Sequence, residues 1–139
     1  MATIDAKDMI IGRMASQLAK KALNGEEINI VNCEEAVIVG SPDLVVLKYR
    51  TNMNRGTPRS GPFVPKQPNM LLKRMIRGMF SYKRERGADA YKRVMCYMGV
   101  PENLKNEPLT KIEKANVKET RNVQYIKLKD LCKQLGWDE

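Results

Sequence analysis

The sequence contains no histidine, and this absence excludes whole classes of site. Neither a Ser-His-Asp nor a Cys-His catalytic arrangement can be built without it, and no Cys/His cluster has the spacing of a zinc site. Carboxylate or lysine catalysis remains open, although the commonest general base is missing. The three cysteines, Cys33, Cys96 and Cys132, are widely spaced and odd in number. We therefore expect reduced thiols buried in the core.

Long apolar runs are also missing. No stretch approaches the roughly 20 residues that a membrane helix needs, and the N-terminus, MATIDAKDMI, lacks the apolar segment of a signal peptide. We expect a cytosolic protein that does not use a membrane. With 139 residues the chain is long enough for one domain, residues 1–139, with a substantial core.

Acidic residues are absent from Leu44 to Arg84. Residues 48–93, called here the basic segment, hold 13 Lys or Arg against Glu85 and Asp89, a net charge of +11 where the whole chain carries +9. An ordinary enzyme surface mixes charges of both signs, and such an imbalance costs self-repulsion that a polyanionic partner offsets. The segment therefore predicts nucleic-acid binding, and charge alone does not distinguish RNA from DNA.

The first forty residues alternate between strand-like and helix-like patterns. Residues 3–6 and 27–31 alternate as strands do, and residues 11–22 between them repeat apolar side chains at helical spacing, with Asn24-Gly25 as the stop signal. Residues 36–39 form a short apolar run typical of a strand buried on both faces of a parallel sheet. This order indicates an α/β domain.

Ser41-Pro42-Asp43 predicts the start of a helix that buries Leu44, Val45 and Leu47, with Val46 as a further candidate, and ends near residues 54–56. Four prolines and two glycines then predict an extended loop over residues 56–68. A disordered linker is the alternative; we expect the loop to be ordered on its partner because Phe63 and Val64 lie in its middle.

Pro68 opens a helix with two different sides. At helical spacing Leu71, Leu72, Met75, Ile76 and Met79 fall in one sector, and Lys73, Arg74 and Arg77 fall opposite. A solvated helix face would place Glu beside these cations as i,i+4 partners, and none is present. The pattern predicts a cationic ridge that contacts a polyanion.

After this helix the signals weaken. The expected order is a basic turn over residues 81–87, a short helix over 88–93, a strand over 94–97 and a loop over 99–108. Residues 111–119 give no strong signal, residues 123–128 predict a small strand, and Leu128–Leu135 repeat as a helix ended by Gly136. Trp137 is expected to pack on the domain. Tyr49, Phe63, Tyr82 and Tyr91 could stack on bases, whereas core packing is favoured for Phe80.

The β-α-β opening also raises a different function, a small Rossmann-like enzyme that acts on a phosphorylated or nucleotide substrate. Its pocket would lie at the carboxyl ends of the strands, near residues 7–13 or 40–41. Residues 7–16 hold one glycine where the dinucleotide fingerprint needs three, and no Walker-type loop is present. This enzyme remains the alternative, and no cofactor is expected.

Three motifs in order carry a family resemblance: Ile10–Ser16 (IIGRMAS), Val31–Glu34 (VNCE) and Arg77–Met79 (RGM). Residues 4–99 resemble the large-subunit ribosomal protein L13 family, in its archaeal and eukaryotic branch. The chain departs from the family pattern at Phe80-Ser81-Tyr82, where Leu-Pro usually follows, and residues 100–139 form a looser C-terminal extension.

The resemblance implies a three-layer α/β/α domain with a small, mainly parallel sheet, here with an extended basic Pro-rich loop. It also implies a structural and assembly role without enzymatic activity, with large-subunit ribosomal RNA and neighbouring ribosomal proteins as partners. Arg13 matches the family's Gly-Arg pair and could bind RNA or cap the sheet. The candidate RNA-binding residues are Arg13, Lys48, Arg50, Arg55, Arg59, Lys66, Lys73, Arg74, Arg77, Lys83, Arg84, Arg86, Lys92 and Arg93.

Overall fold

The computed structural model describes residues 1–121 and 124–138 and has an α/β fold. In chain order, its helices and strands are β1 (Ala2–Asp5), α1 (Ile11–Leu23), β2 (Ile28–Val31), β3 (Val37–Val39), α2 (Pro42–Asn54), α3 (Pro68–Arg77), α4 (Glu85–Lys92), β4 (Val94–Cys96), β5 (Leu109–Thr110), β6 (Tyr125–Lys127) and α5 (Leu128–Gln134). Short 3₁₀ turns lie at Cys33–Glu35, Glu102–Leu104, Glu113–Ala115 and Val117–Glu119.

A four-stranded parallel sheet forms the centre, with strand order β4-β2-β1-β5. Ile4 pairs with Ile30, and Ile30 pairs in turn with Cys96. Because side chains alternate along a strand, these residues share one face of the sheet, and all three are buried. The expected α/β class with a small, mainly parallel sheet is confirmed.

Helices α1, α3 and α4 contact one another, and α3 and α4 also contact β4. The predicted amphipathic pattern of α1 is confirmed, since Met14, Leu18 and Ala22 are fully buried. The chain leaves α1 through Gly25, whose φ of +100° is the left-handed conformation that glycine adopts without strain. Gly136 ends α5 in the same conformation, and Trp137 packs against the core as expected.

The opposite face of the sheet carries buried polar groups. Thr3, Asp5 and Asn29 alternate with the apolar residues of β1 and β2 and are less than one-tenth exposed. The Thr3 hydroxyl donates a hydrogen bond to the Glu107 carboxylate, and Leu104 in the same connection is buried. The segment between β4 and β5 therefore covers part of this face.

Strand β3 does not join the parallel sheet, so the expectation of a strand buried between two helical layers is wrong. Asn32, with a φ of +54°, and the Cys33–Glu35 turn redirect the chain at the end of β2. Strand β3 then pairs antiparallel with β6, which confirms a strand within the predicted 123–128 region; residue 123 lies outside the described residues. Ile38 and Val39 are half-buried.

Helix α2 spans the predicted residues, but only part of its predicted buried side is confirmed. Leu44 and Leu47, expected in the core, are 66% and 59% exposed. Val45 lies partly buried against the core as expected, together with Val46 and Tyr49. The helix has apolar residues on two sides, so its periodicity could not show which side packs.

Three other boundaries differ from those expected. Helix α3 ends at Arg77, so Met79 lies beyond it and is 46% exposed rather than buried. Helix α4 begins at Glu85, within the stretch that was expected to be a turn. The two-residue strand β5 was not expected, because two residues are too few to show a period.

Candidate nucleic-acid interface

The cations of the basic segment have few carboxylate partners in the folded chain. Within the described residues the ion pairs are Lys92–Asp89 at 3.6 Å, Lys111–Asp5 at 3.4 Å and Lys127–Glu35 at 2.6 Å. Only the first lies in the basic segment, and it joins two exposed side chains. Among the candidates and within those residues, Lys92 alone lies within 4.0 Å of a carboxylate. The excess charge is therefore not neutralised internally.

Helix α3 holds Lys73, Arg74 and Arg77 on the side away from its buried residues, where each side chain is half-buried. The Lys73 ammonium lies 5.1 Å from the centre of the Tyr91 ring, and the Arg77 guanidinium lies 4.6 Å from that of Tyr82. Such contacts contribute about 0.5–1 kcal/mol each at exposed sites. They fix the direction of the cations and leave their charge available.

The loop over residues 55–67 lies between α2 and α3 and contains no helix or strand. Arg74 donates a hydrogen bond from its guanidinium to the carbonyl of Phe63, which attaches the loop to α3. Arg55, Arg59 and Lys66 are exposed along it. A cavity of about 310 Å³ separates α2, the loop and α3, and both Arg55 and Arg74 line it.

The basic turn before α4 is packed tightly by a glycine. The Arg84 N–H donates to the Ser81 carbonyl at 2.9 Å, and Gly87 is buried against the same residue. A β-carbon on Gly87 would lie 2.2 Å from the Ser81 carbonyl oxygen, which is too close for two non-bonded atoms. Lys83 and Arg84 are exposed on this turn, and Arg86 is exposed in the first turn of α4. The sequence indicates Gly87 only as the end of a turn, because its close approach to Ser81 leaves no local pattern.

Besides Arg74, three candidate arginines make hydrogen bonds within the fold. Arg93 donates to the carbonyl of Ala22 at 3.1 Å and so caps the end of α1. Arg50 donates to the backbone and side-chain oxygens of Gln134 at 3.2 Å, which ties α2 to α5. Arg13 donates to the Lys114 carbonyl at 3.4 Å. Each remains charged, but its geometry is explained by the protein itself. Lys48 is exposed on α2.

The aromatic residues of the segment divide by burial. Phe80 is buried and makes an edge-to-face contact with Tyr91, with ring centres 6.2 Å apart, as favoured for Phe80. Tyr49 and Tyr91 are half-buried against the core. Phe63 at 67% and Tyr82 at 40% are exposed. These two rings are the most exposed aromatic side chains of the basic segment.

Asp5 and Glu34 make internal contacts near the carboxyl ends of β1 and β2, the region where an α/β enzyme would bind its substrate. Burial would by itself raise the pKa of Asp5, but hydrogen bonds from the Asn32 amide and the Lys7 N–H, with the Lys111 ammonium nearby, bring that pKa below its ordinary value. Both carboxylate oxygens of Glu34 accept from the Gly99 N–H at 3.1 Å. The VNCE motif therefore joins β1, β2 and β4 rather than forming a substrate site.

The described residues offer few groups for nucleophilic catalysis or metal binding. Cys33, Cys96 and Cys132 are free and buried. Contact with Cys96, followed by burial, raises the pKa of the Cys33 thiol, and burial raises that of Cys132 to about 12, so neither is an activated nucleophile. Residues 1–121 and 124–138 contain no group of three or more metal-ligating side chains. No helix in the same ranges has the length and apolar character to cross a bilayer.

A comparison with known protein families identifies the family of this chain. The chain matches the model of the ribosomal protein L13 family over residues 1–103, more than half of its length. It belongs to that family. The family comprises structural ribosomal proteins, so the chain is not an enzyme and the Rossmann-like alternative is rejected.

Curated relatives extend the similarity to nearly the whole chain. Proteins named large ribosomal subunit protein uL13 from Methanosarcina barkeri and Methanocaldococcus jannaschii are each 44% identical, over 98% of this chain and 98% of their own length. The protein of that name from Archaeoglobus fulgidus is 42% identical over 96% of this chain and 86% of its own length. These relatives are archaeal, in agreement with the resemblance in the sequence.

Proposed function

We propose that this ribosomal protein is a constituent of the large subunit of the cytoplasmic ribosome, where it binds folded large-subunit ribosomal RNA and supports subunit assembly. The curated relatives are large-subunit proteins by name. The observation that carries the RNA-binding part is the net charge of +11 in residues 48–93, with one carboxylate contact among its described cations. Neighbouring large-subunit proteins are the other proposed partners.

The contact surface consists of three parts: the α3 ridge (Lys73, Arg74 and Arg77), the basic turn (Lys83, Arg84 and Arg86) and the loop over residues 55–67. Phosphate contacts from these cations position the protein. Recognition of the RNA comes mainly from its shape, with stacking of unpaired bases on Phe63 or Tyr82 as an addition.

A salt titration tests the proposal. Each Lys or Arg that neutralises a phosphate releases counterions, so the logarithm of the affinity falls linearly with the logarithm of the salt concentration. We expect a steep negative slope for binding to purified large-subunit ribosomal RNA. A flat response between about 50 and 200 mM salt contradicts the proposal.

A charge-reversal pair locates the surface. Arg74→Glu with Arg77→Glu should reduce the salt slope by about two, since each lost phosphate contact lowers it by about one. The same variant should be poorly incorporated into large subunits. Lys105→Glu with Lys118→Glu makes the same change in net charge at exposed positions of the C-terminal extension and serves as the control. Equal loss in both variants would mean that overall charge, and not the ridge, is responsible.

A further inference from the structure

Helix α2 presents apolar side chains that the fold does not cover. Leu44 and Leu47, one helical turn apart, are 66% and 59% exposed, while Val45 and Tyr49 pack on the other side. The second apolar side of this helix therefore has no partner in the chain as described. The basic segment does not include these two residues.

Leu47 also lines a groove between α2 and α5, called here the α2–α5 groove. Its volume is about 430 Å³, within the range of about 300–1,000 Å³ typical of binding pockets. Its lining residues are Pro42, Asp43, Val46, Leu47, Arg50, Ile126, Asp130 and Gln134. Val46, Leu47 and Ile126 are its apolar lining residues, and Leu47 is the most exposed of the three.

The groove holds two carboxylates and one cation, Arg50, which also belongs to the basic segment. Asp43 and Asp130 are both exposed at its edge. Neither carboxylate lies within 4.0 Å of a described cation. Arg50, the cation of the lining, already donates to both oxygens of Gln134. The groove thus combines apolar side chains with two carboxylates that form no described ion pair, and its lining has a net charge of −1 because Arg50 keeps its charge.

We propose that the α2–α5 groove docks a segment of another large-subunit protein that carries Lys or Arg on either side of an apolar anchor. The anchor packs on Val46, Leu47 and Ile126, and the cations lie beside Asp43 and Asp130. Charge complementarity selects this occupant: two carboxylates repel phosphate, and two copies of a chain with a net charge of +9 repel each other. This inference rests on the proposed function.

Photo-crosslinking in assembled ribosomes tests it. The variant Leu47→p-benzoylphenylalanine is expressed in cells, large subunits are purified and irradiated, and the attached molecule is identified by mass spectrometry. We expect a crosslinked peptide from another ribosomal protein with Lys or Arg around an apolar residue. Crosslinks to ribosomal RNA, crosslinks to a second copy, or no crosslink in subunits that contain the variant would each overturn the inference.

A charge change tests the role of the carboxylates. Adding Asp43→Lys and Asp130→Lys should lower the crosslink yield by at least about tenfold, because like charges facing each other oppose docking. Glu102→Lys with Glu113→Lys makes the same change in net charge at exposed sites elsewhere, and its yield should be unchanged. An equal yield from both charge variants would remove the proposed role of the carboxylates. The unmodified chain separates the two proposals: if it is absent from purified subunits, the proposed function fails.

Discussion

Gly87→Ala should destabilise this protein although alanine is the better helix former. A β-carbon at this position would lie 2.2 Å from the carbonyl oxygen of Ser81 and 2.5 Å from its carbonyl carbon. Both atoms belong to the backbone, so no side-chain rotation can relieve the overlap. The basic turn must therefore move away from α4 by about 1 Å, or α4 must shift within the core.

The expected magnitude is a difference of two terms. Forcing an extra carbon into a packed site costs about 1–3 kcal/mol, and replacing glycine by alanine inside a helix returns up to about 1 kcal/mol. We expect a net loss of about 1–2 kcal/mol in the free energy of unfolding. For a chain of 139 residues this lowers Tm by about 3–7 °C.

Gly12→Ala is the matched control. Both glycines lie in the first turn of a helix: Gly12 is the second residue of α1 and Gly87 is the third residue of α4. A β-carbon on Gly12, however, meets no atom within 4 Å. The free energy of unfolding of the Gly12→Ala protein should be unchanged or higher by up to about 1 kcal/mol. Thermal and urea unfolding measure both variants. A Gly87→Ala protein as stable as the Gly12→Ala protein would refute the reasoning from the close approach.

Two further substitutions test individual contacts of the fold. Arg93→Ala removes the hydrogen bond to the Ala22 carbonyl and should lower the free energy of unfolding, measured in urea, by about 1–2 kcal/mol. Lys92→Ala, which removes an exposed ion pair, is the control and should lower it by less than about 1 kcal/mol. Equal losses in the two variants would contradict the capping role of Arg93. Asn32→Gly keeps the positive φ accessible but removes the hydrogen bond to Asp5, and should cost about 1 kcal/mol at pH 7. The pKa of Asp5 is lowered in the folded protein, so the stabilisation by this hydrogen bond is complete above about pH 4 and is lost as the pH falls through the folded pKa. A stability difference between the variant and the unmodified protein that stays constant down to pH 2 would contradict this reasoning.

The parts of the fold that the sequence predicts well are those with a single apolar side. In α1 and α3 the buried residues recur on one face, and Leu71, Leu72 and Ile76 are in the core as expected. In α2 two apolar sides compete, and the choice depends on the position of α5, more than seventy residues later in the chain. The pairing of β3 with β6 is likewise a contact between distant segments, which local periodicity does not contain.

The candidate interface likewise has features that the sequence predicts and features that depend on contacts between distant segments. The absence of acidic residues from Leu44 to Arg84 is visible in the sequence, and it accounts for the scarcity of ion pairs in the basic segment. The sequence does not show that Arg93 reaches Ala22 or that Arg50 reaches Gln134, because both acceptors are distant in the chain. Charge composition is a property of the sequence, whereas the acceptor of each arginine is a property of the fold.

The way in which Arg74 and Arg77 are held would lower the ordering cost of the proposed phosphate contacts. A carboxylate partner would fix an arginine and also neutralise it, whereas a carbonyl oxygen or an aromatic ring fixes it and leaves the charge. Arg74 on the Phe63 carbonyl and Arg77 on the Tyr82 ring are of the second kind. Each free arginine side chain carries about 2 kcal/mol of rotamer entropy, part of which is already lost here. Binding a phosphate therefore costs less ordering at these two positions than at a mobile surface cation.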